Sequence, residues 1–277
     1  MKQLSCLRAG WRRGLTLFGW LVWLAAGSTA LHAQEDKALN NGLDITRPLT
    51  RFDLRYNFQN KGDGVQQDQI ILRLEHPFPL TADQSWKIAT RLDMPLVFSN
   101  KSGSDNPSGS TTFGSGDLLL EAVLVNTLTE RFAYGAGLRV LFPTANADQF
   151  GSGKYQFIPL AGARYSLPEI SKGSYFQPIV RYDADVGGYG GRSHVSQLQM
   201  GPMLNIQLSE RWYLTLYPSQ DIVLNTIGGH KWFVPADFLV GRHLTKNTLA
   251  SVEVSIPVVK EFTLYDFKLE FRLSHSF

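Results

Sequence analysis

The chain has 277 residues, with 27 Lys and Arg, 24 Asp and Glu, and a single cysteine, Cys6. The near balance of charge gives no broad positive field, so the composition excludes a nucleic-acid partner held by electrostatic attraction. One cysteine also excludes a disulfide framework within the chain.

The N-terminal region predicts export. A basic stretch precedes a short apolar run at residues 15–26, and small residues follow. Because the run is too short for a comfortable membrane span, residues 1–33 are predicted to be a cleaved secretory signal peptide. Cleavage is expected after Ala33 or Ala30, and an uncleaved N-terminal anchor is the alternative. Without residues 1–33 the chain keeps 23 basic and 24 acidic residues, a net charge near −1.

From about Leu49 onward the chain repeats one unit, an alternating stretch followed by a turn. In LTRFDLRYNF (49–58), apolar residues alternate with charged or polar ones. This period of two is typical of half-buried β-strands. We count twelve such stretches, which begin near residues 49, 68, 86, 117, 131, 154, 175, 195, 211, 233, 248 and 262.

The connections between these stretches fall into two classes. Four connections share a short pattern, and all four follow even-numbered stretches: LTADQSW (80–86), LTERF (128–132), LSERW (208–212) and LTKNT (244–248). Those after odd-numbered stretches are predicted to be longer and are rich in Gly, Ser and Asn. Short turns at one end and long polar loops at the other are typical of outer-membrane barrels.

The predicted fold is therefore all-β, a transmembrane antiparallel up-and-down β-barrel of about twelve strands, with ten to fourteen allowed by the pattern. The barrel is expected to occupy residues 49–277 as one domain. Residues 34–48 form a polar lead-in or a small plug. The strand at the C-terminus should pair with the first strand, because a lipid-exposed sheet edge is excluded.

The charged faces of the strands are expected to line the lumen. An Arg or Lys on the lipid face costs about 2–4 kcal/mol at mid-bilayer, so the reverse orientation is unfavourable. The lumen-lining candidates are Arg51, Asp53, Arg55, Arg73, Glu75, Arg91, Asp93, Glu121, Arg139, Arg164, Arg181, Asp183 and Asp185, with Glu253, Asp266, Lys268, Glu270 and Arg272 as further members.

Two interpretations of these charges stay open. In one, ion pairs fill and rigidify a narrow barrel. In the other, some of them form a constriction that selects solutes. Arg73 with Glu75, and Arg181 with Asp183 and Asp185, are the better candidates for such a constriction.

No catalytic, metal or cofactor site is predicted. FGSGD (113–117) and FGSGK (150–154) resemble phosphate-binding loops, but each precedes a strand, so no helix N-terminus faces an anion. Flexible corners at the barrel rim are the expected interpretation. Ser193 and His194 are adjacent, and they keep a hydrolase as an alternative although the sequence supplies no orienting carboxylate.

Four segments carry a family resemblance: FGSGDLLLEAVL, YGAGLRVLFPTA, FGSGKYQFIPLAGARYSL and LYDFKLEFRLSHSF. They resemble outer-membrane proteins of the "MetA-pathway of phenol degradation" family, over about residues 110–277. The resemblance implies a transporter-type barrel, since some members are encoded beside pathways that degrade aromatic compounds. The C-terminal pattern also resembles the signal that the barrel-assembly machinery recognises, with Phe271, Leu273 and Phe277 at the matching positions.

The expected function is passive passage of small solutes, aromatic or hydrophobic ones among them, through a charged lumen in a Gram-negative outer membrane. The loops at 99–116 and 143–153 are expected to gate it. The expected partners are outer-membrane lipid, the barrel-assembly machinery and a small-molecule solute, with no nucleic acid and no cofactor. The alternatives are an outer-membrane enzyme acting on lipids, a structural barrel whose lumen is sealed by ion pairs, and a soluble exported sandwich.

Overall fold

A computed structural model describes residues 40–277 of the chain. The predicted signal peptide, residues 1–33, and the first residues of the predicted lead-in lie outside the described residues. In the part that the structure describes, no helix is long and apolar enough to cross a membrane.

Residues 40–277 form a single antiparallel sheet of fourteen strand segments. The segments are β1 (Arg51–Gly62), β2 (Val65–Pro79), β3 (Trp86–Ser99), β4 (Thr112–Ser115), β5 (Leu118–Thr127), β6 (Phe132–Phe142), β7 (Lys154–Ser166), β8 (Tyr175–Gly188), β9 (Ser196–Gln207), β10 (Trp212–Leu216), β11 (Ile222–Asn225), β12 (Lys231–His243), β13 (Thr248–Lys260) and β14 (Phe267–Ser276).

The sheet closes on itself as a barrel of twelve strands. Segments β4 and β5 both pair with β3, and β10 and β11 both pair with β9 and β12, so each couple forms one interrupted wall strand. The ring closes where β1 pairs with β14, from Arg51 opposite Ser276 to Asn60 opposite Phe267. The predicted strand number and the predicted closing pair are both confirmed.

The burial pattern is the inverse of that in a soluble protein. On β1, Arg51, Asp53 and Arg55 are buried, whereas Leu54 and Tyr56 are 41% and 39% exposed. The same alternation continues along the other strands, with large apolar side chains on the outer surface. Such an exterior is favourable in lipid, and the buried polar side chains of the interior bond one another across neighbouring strands.

The short turns share one hydrogen-bond pattern, which explains their similar sequences. In the turn at 128–131, the Thr129 hydroxyl accepts from the Phe132 amide at 2.9 Å, while the Leu128 and Thr129 amides donate to the Phe132 carbonyl. Ser209 with Trp212, and Thr245 with Thr248, repeat this arrangement. The hydroxyl residue of the pattern therefore satisfies an amide that would otherwise be unpaired. We call this end of the barrel the turn end and the opposite one the loop end.

The first connection at the loop end differs from the prediction of a long loop. Strand β1 runs to Gly62 and β2 starts at Val65, so Asp63 and Gly64 form a two-residue turn with φ values of 52° and 75°. Asp-Gly suits this turn because both central residues need positive φ.

The last strand also differs from the prediction, because β14 begins at Phe267 and not near residue 262. Tyr265, predicted on the outer face, is only 3% exposed and bonds the Asp221 carboxylate and the Ser255 hydroxyl. Asp266, predicted in the lumen, is half exposed and pairs with Lys260. The chain bends before the strand starts, so alternation does not extend through 261–266.

Candidate functional site: the lumen

A continuous chain of ion pairs crosses the inner wall from β14 to β6. Basic and acidic side chains alternate along it in the order Glu270, Arg55, Asp53, Arg51, Glu75, Arg91, Glu121 and Arg139. The N···O distances lie between 2.8 and 3.4 Å up to Glu121, and Arg139 closes the row on Glu121. Four carboxylates and four guanidinium groups leave this band neutral.

Strand register brings these groups together. Glu75 lies opposite Arg51 on one side and opposite Arg91 on the other, and it bonds both at 2.8 Å. One step toward the loop end, Arg73 donates two bonds to Asp93, at 2.6 and 2.7 Å. Glu75 therefore bridges two neighbouring strands, while Arg73 turns to Asp93 and not to Glu75.

Seven of the thirteen lumen-lining candidates belong to the ion-pair chain, Arg73 and Asp93 form a separate pair beside it, and the four on β7 and β8 belong to neither. Arg164 pairs with Asp44 at 3.5 Å, and Asp183 accepts a bond from Gln197 at 3.1 Å. Asp185 lies 4.0 Å from the Lys154 ammonium. The Arg181 Nε is buried without a hydrogen-bond partner among the described residues. Arg181, Asp183 and Asp185 thus face different partners and form no joint cluster.

A second cluster surrounds Lys268, where the wall strand formed by β10 and β11 is interrupted. The ammonium lies 2.5 Å from Asp221 and 2.6 Å from Glu253, and it donates to the Ser219 hydroxyl at 3.1 Å. The residues at the interruption turn inward and supply two of these three contacts. The cluster ties the interrupted strand to β13 and β14.

Residues 40–48 run through the turn-end half of the lumen. The Asn41 side chain donates to Asn205 at 2.8 Å and accepts from the Tyr175 hydroxyl at 3.0 Å, and Arg272 donates to its carbonyl at 2.9 Å. Gln177 bonds this segment twice, through the Ile45 amide and the Leu43 carbonyl. These partners come from three different strands, so the segment crosses the barrel interior.

This segment leaves little space beside the ion-pair chain. Gly42, with φ +69°, passes the Arg51 guanidinium so closely that a Cβ atom there would overlap it. The cavity between the segment and Glu75, Arg91 and Glu121 measures about 20 Å³. That is room for about one water molecule.

The loop at 143–153 folds inward at the opposite end and is held by Asp117. One carboxylate oxygen accepts from the Ala145 amide at 3.1 Å, and the other accepts from the Ser152 amide and hydroxyl at 2.6 and 2.9 Å. Asp117 lies in the break between β4 and β5. A single side chain in the wall thereby clamps both ends of the loop.

Asp148 joins three loops at the loop end. It pairs with Arg192 at 3.4 Å and accepts from the Ser104 hydroxyl at 3.1 Å, while its amide donates to Asp105 at 3.0 Å. Arg192 also donates to the Gly151 carbonyl at 2.9 Å. The loops at 100–111, 143–153 and 189–195 are therefore linked by polar contacts.

Beneath these loops is a cavity of about 360 Å³, which we call the vestibule. Its walls come from β2, β3, β5, β6 and the loop 143–153. One side is polar, with Gln67 and Gln69, and the other is apolar, with Leu119, Leu141 and Phe150. Its volume is within the range of small-molecule sites in proteins.

The two FGSG segments have different environments. Phe113 is 56% exposed at the rim, whereas Phe150 is 5% exposed and packs against Gly114. A Cβ atom at Gly114 would lie 2.5 Å from the Phe150 ring. The glycine therefore permits the inward loop to pack.

His194 has a carboxylate partner that the sequence did not indicate. Its Nδ1 lies 3.0 Å from the Asp185 carboxylate, and the imidazole is exposed at the loop end. Among the described residues the ring has no hydrogen bond to a serine hydroxyl. The pair has the base and the orienting group of a hydrolase, but its nucleophile is not in contact. No group of three or more potential metal ligands occurs within residues 40–277.

Sequence reasoning missed several of the residues that shape the lumen, including Asn41, Asp44, Asp117, Gln177 and Asn205. Most of them are uncharged, or lie in the lead-in or between strand segments, where alternation gives no signal. The amides at the turn-end halves of β8 and β9 were the one available hint, because amides on an inner face need partners.

The fold has known counterparts. No family model and no curated protein matches the chain. The COG4313 outer membrane channel from Pseudomonas putida F1 is 17% identical, covering 84% of this chain and 97% of that channel at a TM-score of 0.64. The NanC porin is 12% identical, covering 82% of this chain and 98% of the porin at a TM-score of 0.52.

The fold is that of an outer-membrane β-barrel. Outer membrane phospholipase A from Escherichia coli overlaps at a TM-score of 0.44, too low to bear on activity. All of these identities are so low that they establish architecture alone. The resemblance to the phenol-degradation family stays a prediction.

Proposed function

We propose that the chain is an outer-membrane channel for passive passage of small solutes, closed in its turn-end half by residues 40–48. The observation that carries this proposal is the difference between the two halves of the lumen. A vestibule of about 360 Å³ lies at one end, and the cavity beside the segment at the other measures about 20 Å³. The turn end would face the periplasm, as in other outer-membrane barrels.

The attachment of the segment suits a reversible closure. Residues 40–48 are held by hydrogen bonds and one ion pair, from Arg164 to Asp44, and strand pairing begins only at Arg51. Displacing the segment therefore breaks no hydrogen bond between neighbouring barrel strands. The ion-pair chain on the wall would remain, and it would form the polar lining that a solute meets next.

The solute class follows from the vestibule. Its apolar side, which includes Leu119, Leu141 and Phe150, favours solutes with an apolar or aromatic part. Diffusion through the lumen needs no cofactor or energy input, and passive flow down a gradient would be the only driving force.

Planar-bilayer recordings test this function. The double variant Asn41→Ala/Asp44→Ala removes side-chain anchors of the segment, so we expect it to spend more time in an open state than the unaltered protein. The control Asp83→Ala/Asn247→Ala changes the same residue types in two exposed turns and should behave like the unaltered protein. Absence of conductance from both the unaltered protein and the Asn41/Asp44 variant would instead establish a sealed structural barrel.

A lipid-modifying enzyme is the second candidate, favoured by the contact between His194 and Asp185. If it were correct, His194→Ala would abolish hydrolysis of phospholipid in mixed micelles. We expect no phospholipid hydrolysis by the unaltered protein and no difference in the variant, because no serine hydroxyl among the described residues bonds the His194 ring. Measurable hydrolysis that disappears in His194→Ala would reverse this choice.

A further inference from the structure

The charged side chains that line the vestibule differ in whether they already have an ion-pair or hydrogen-bond partner. Three carboxylates line it, and all of them are engaged. Asp93 takes both bonds of the Arg73 guanidinium, Asp117 accepts three bonds from the loop 143–153, and Asp148 pairs with Arg192. A cationic solute would therefore find no free carboxylate there.

Lys101 is the opposite case. It lines the same cavity, and its ammonium has no ion pair among the described residues. Its backbone is anchored, since its amide donates to Ser99 at 3.2 Å and its carbonyl accepts from Asn106 at 3.1 Å. Lys101 is exposed and lines the cavity from a fixed point of the loop at the rim.

The vestibule also has an apolar patch. The patch consists of Ile71, Pro95, Leu119, Leu141 and Phe150. It lies on β2, β3, β5, β6 and the inward loop, and burying an apolar surface against it is favourable. The amides of Gln67 and Gln69 line the wall between and can donate to an oxyanion.

We propose that the vestibule is a binding site for small amphipathic monoanions, with the anionic group at Lys101 and the apolar body against the patch. The inference rests on the proposed channel function and specifies the charge of the solute it favours. An anion gains a partner that is unpaired in the empty site, whereas a neutral solute gains only apolar contact. Bound at the vestibule, the solute would lie directly above the ion-pair chain.

Three probes of one shape test the charge preference: 2-naphthoate, 2-naphthylmethanol and 2-naphthylmethylammonium. Fluorescence titration of the full-length protein in detergent gives the dissociation constant of each. We expect 2-naphthoate to bind about twofold to fivefold more tightly than the alcohol, the range of one exposed ion pair. The ammonium probe should bind no more tightly than the alcohol, and high salt should reduce the preference.

Two variants and one control variant test whether the probes bind at this site. Lys101→Met should bring 2-naphthoate to the affinity of the alcohol, while Lys246→Met, which removes an exposed lysine from a turn, should leave all three constants unchanged. Leu141→Gln should weaken all three probes alike. Equal binding of anion and alcohol, tightest binding of the ammonium probe, or an unchanged preference in Lys101→Met overturns the proposal.

Conductance of the same preparations separates this inference from the channel function. Open-channel current without 2-naphthoate binding would refute the site and leave the channel standing. Lys101-dependent binding without current in any variant would refute the channel and leave the site standing.

Discussion

At the scale of single residues, the lumen is stabilised by pairs that are nearly inaccessible to water. Taking a charge out of water is costly, and the cost is recovered only when the partner and its hydrogen bonds are in place. Register supplies the partner here, as it places Arg73 directly between Asp53 and Asp93. Each group is therefore stable only while the opposite one is present.

This dependence gives a prediction for the Arg73–Asp93 pair. Arg73→Met leaves the Asp93 carboxylate without its two-bond partner and should lower the free energy of unfolding by about 3–5 kcal/mol. Arg73→Met combined with Asp93→Leu should recover most of that loss. Urea unfolding in lipid vesicles measures the free energy of unfolding of both variants.

The control for this prediction is the exposed pair of Arg131 and Glu169, at 2.6 Å in the turns. Water screens this pair, so Arg131→Ala should change stability little. A loss as large as that in Arg73→Met, or a double variant no better than the single one, would contradict the argument.

At the scale of elements, interruptions in the wall position the functional segments. Strand β4 ends at Ser115 and β5 begins at Leu118, so Asp117 is free of strand pairing and turns toward the loop 143–153. In a continuous strand, the backbone of that residue would be paired with its neighbours, and the loop would lack its anchor. Because of the break, Asp117 anchors the loop 143–153 and does not take part in strand pairing.

Asp117→Ala should release this loop and expose Phe150. Chymotrypsin cuts after aromatic residues in mobile segments, so we expect cleavage after Phe150 to accelerate severalfold in intact barrels. Fragment masses over time provide the measurement. Cleavage after Tyr189, already 62% exposed, is the internal reference and should not change. Equal rates at Phe150 in the two proteins would mean that Asp117 is not the clamp.

At the scale of the whole molecule, stability depends on a polar inside and an apolar outside. Val252, at 38% exposure, lies on the outer face opposite Val240 and Phe271. An arginine there meets lipid, so Val252→Arg should reduce the free energy of unfolding in vesicles by about 2–4 kcal/mol if it lies near the midplane. Unheated protein should still migrate faster than boiled protein on a gel.

The matched control is Asn247→Arg in an exposed turn, where the same charge meets water. It should leave both stability and gel mobility unchanged. A neutral effect of Val252→Arg would argue against lipid contact at that face, and recovery of the chain in the soluble periplasmic fraction would argue for an exported sandwich.

The alternating residues of single strands made the architecture predictable. The run from Arg51 to Phe58 already distinguishes its two faces, and the Leu-Ser/Thr turns identify one end of the barrel. Such signals are local, because each strand must match its own surroundings on both faces. They fail where alternation stops, as at Tyr265, whose environment depends on Asp221 and Ser255 from other strands.

The sequence by itself therefore determined a twelve-stranded closed barrel, its inner and outer faces and the short turns at one end, because these depend on period and turn chemistry. Tertiary structure alone decided which charges pair, that residues 40–48 cross the lumen, and where space remains. Asn41 meets Asn205, and Asp44 meets Arg164, only after the ring has closed. Contacts between residues so distant in the chain leave no local pattern to detect.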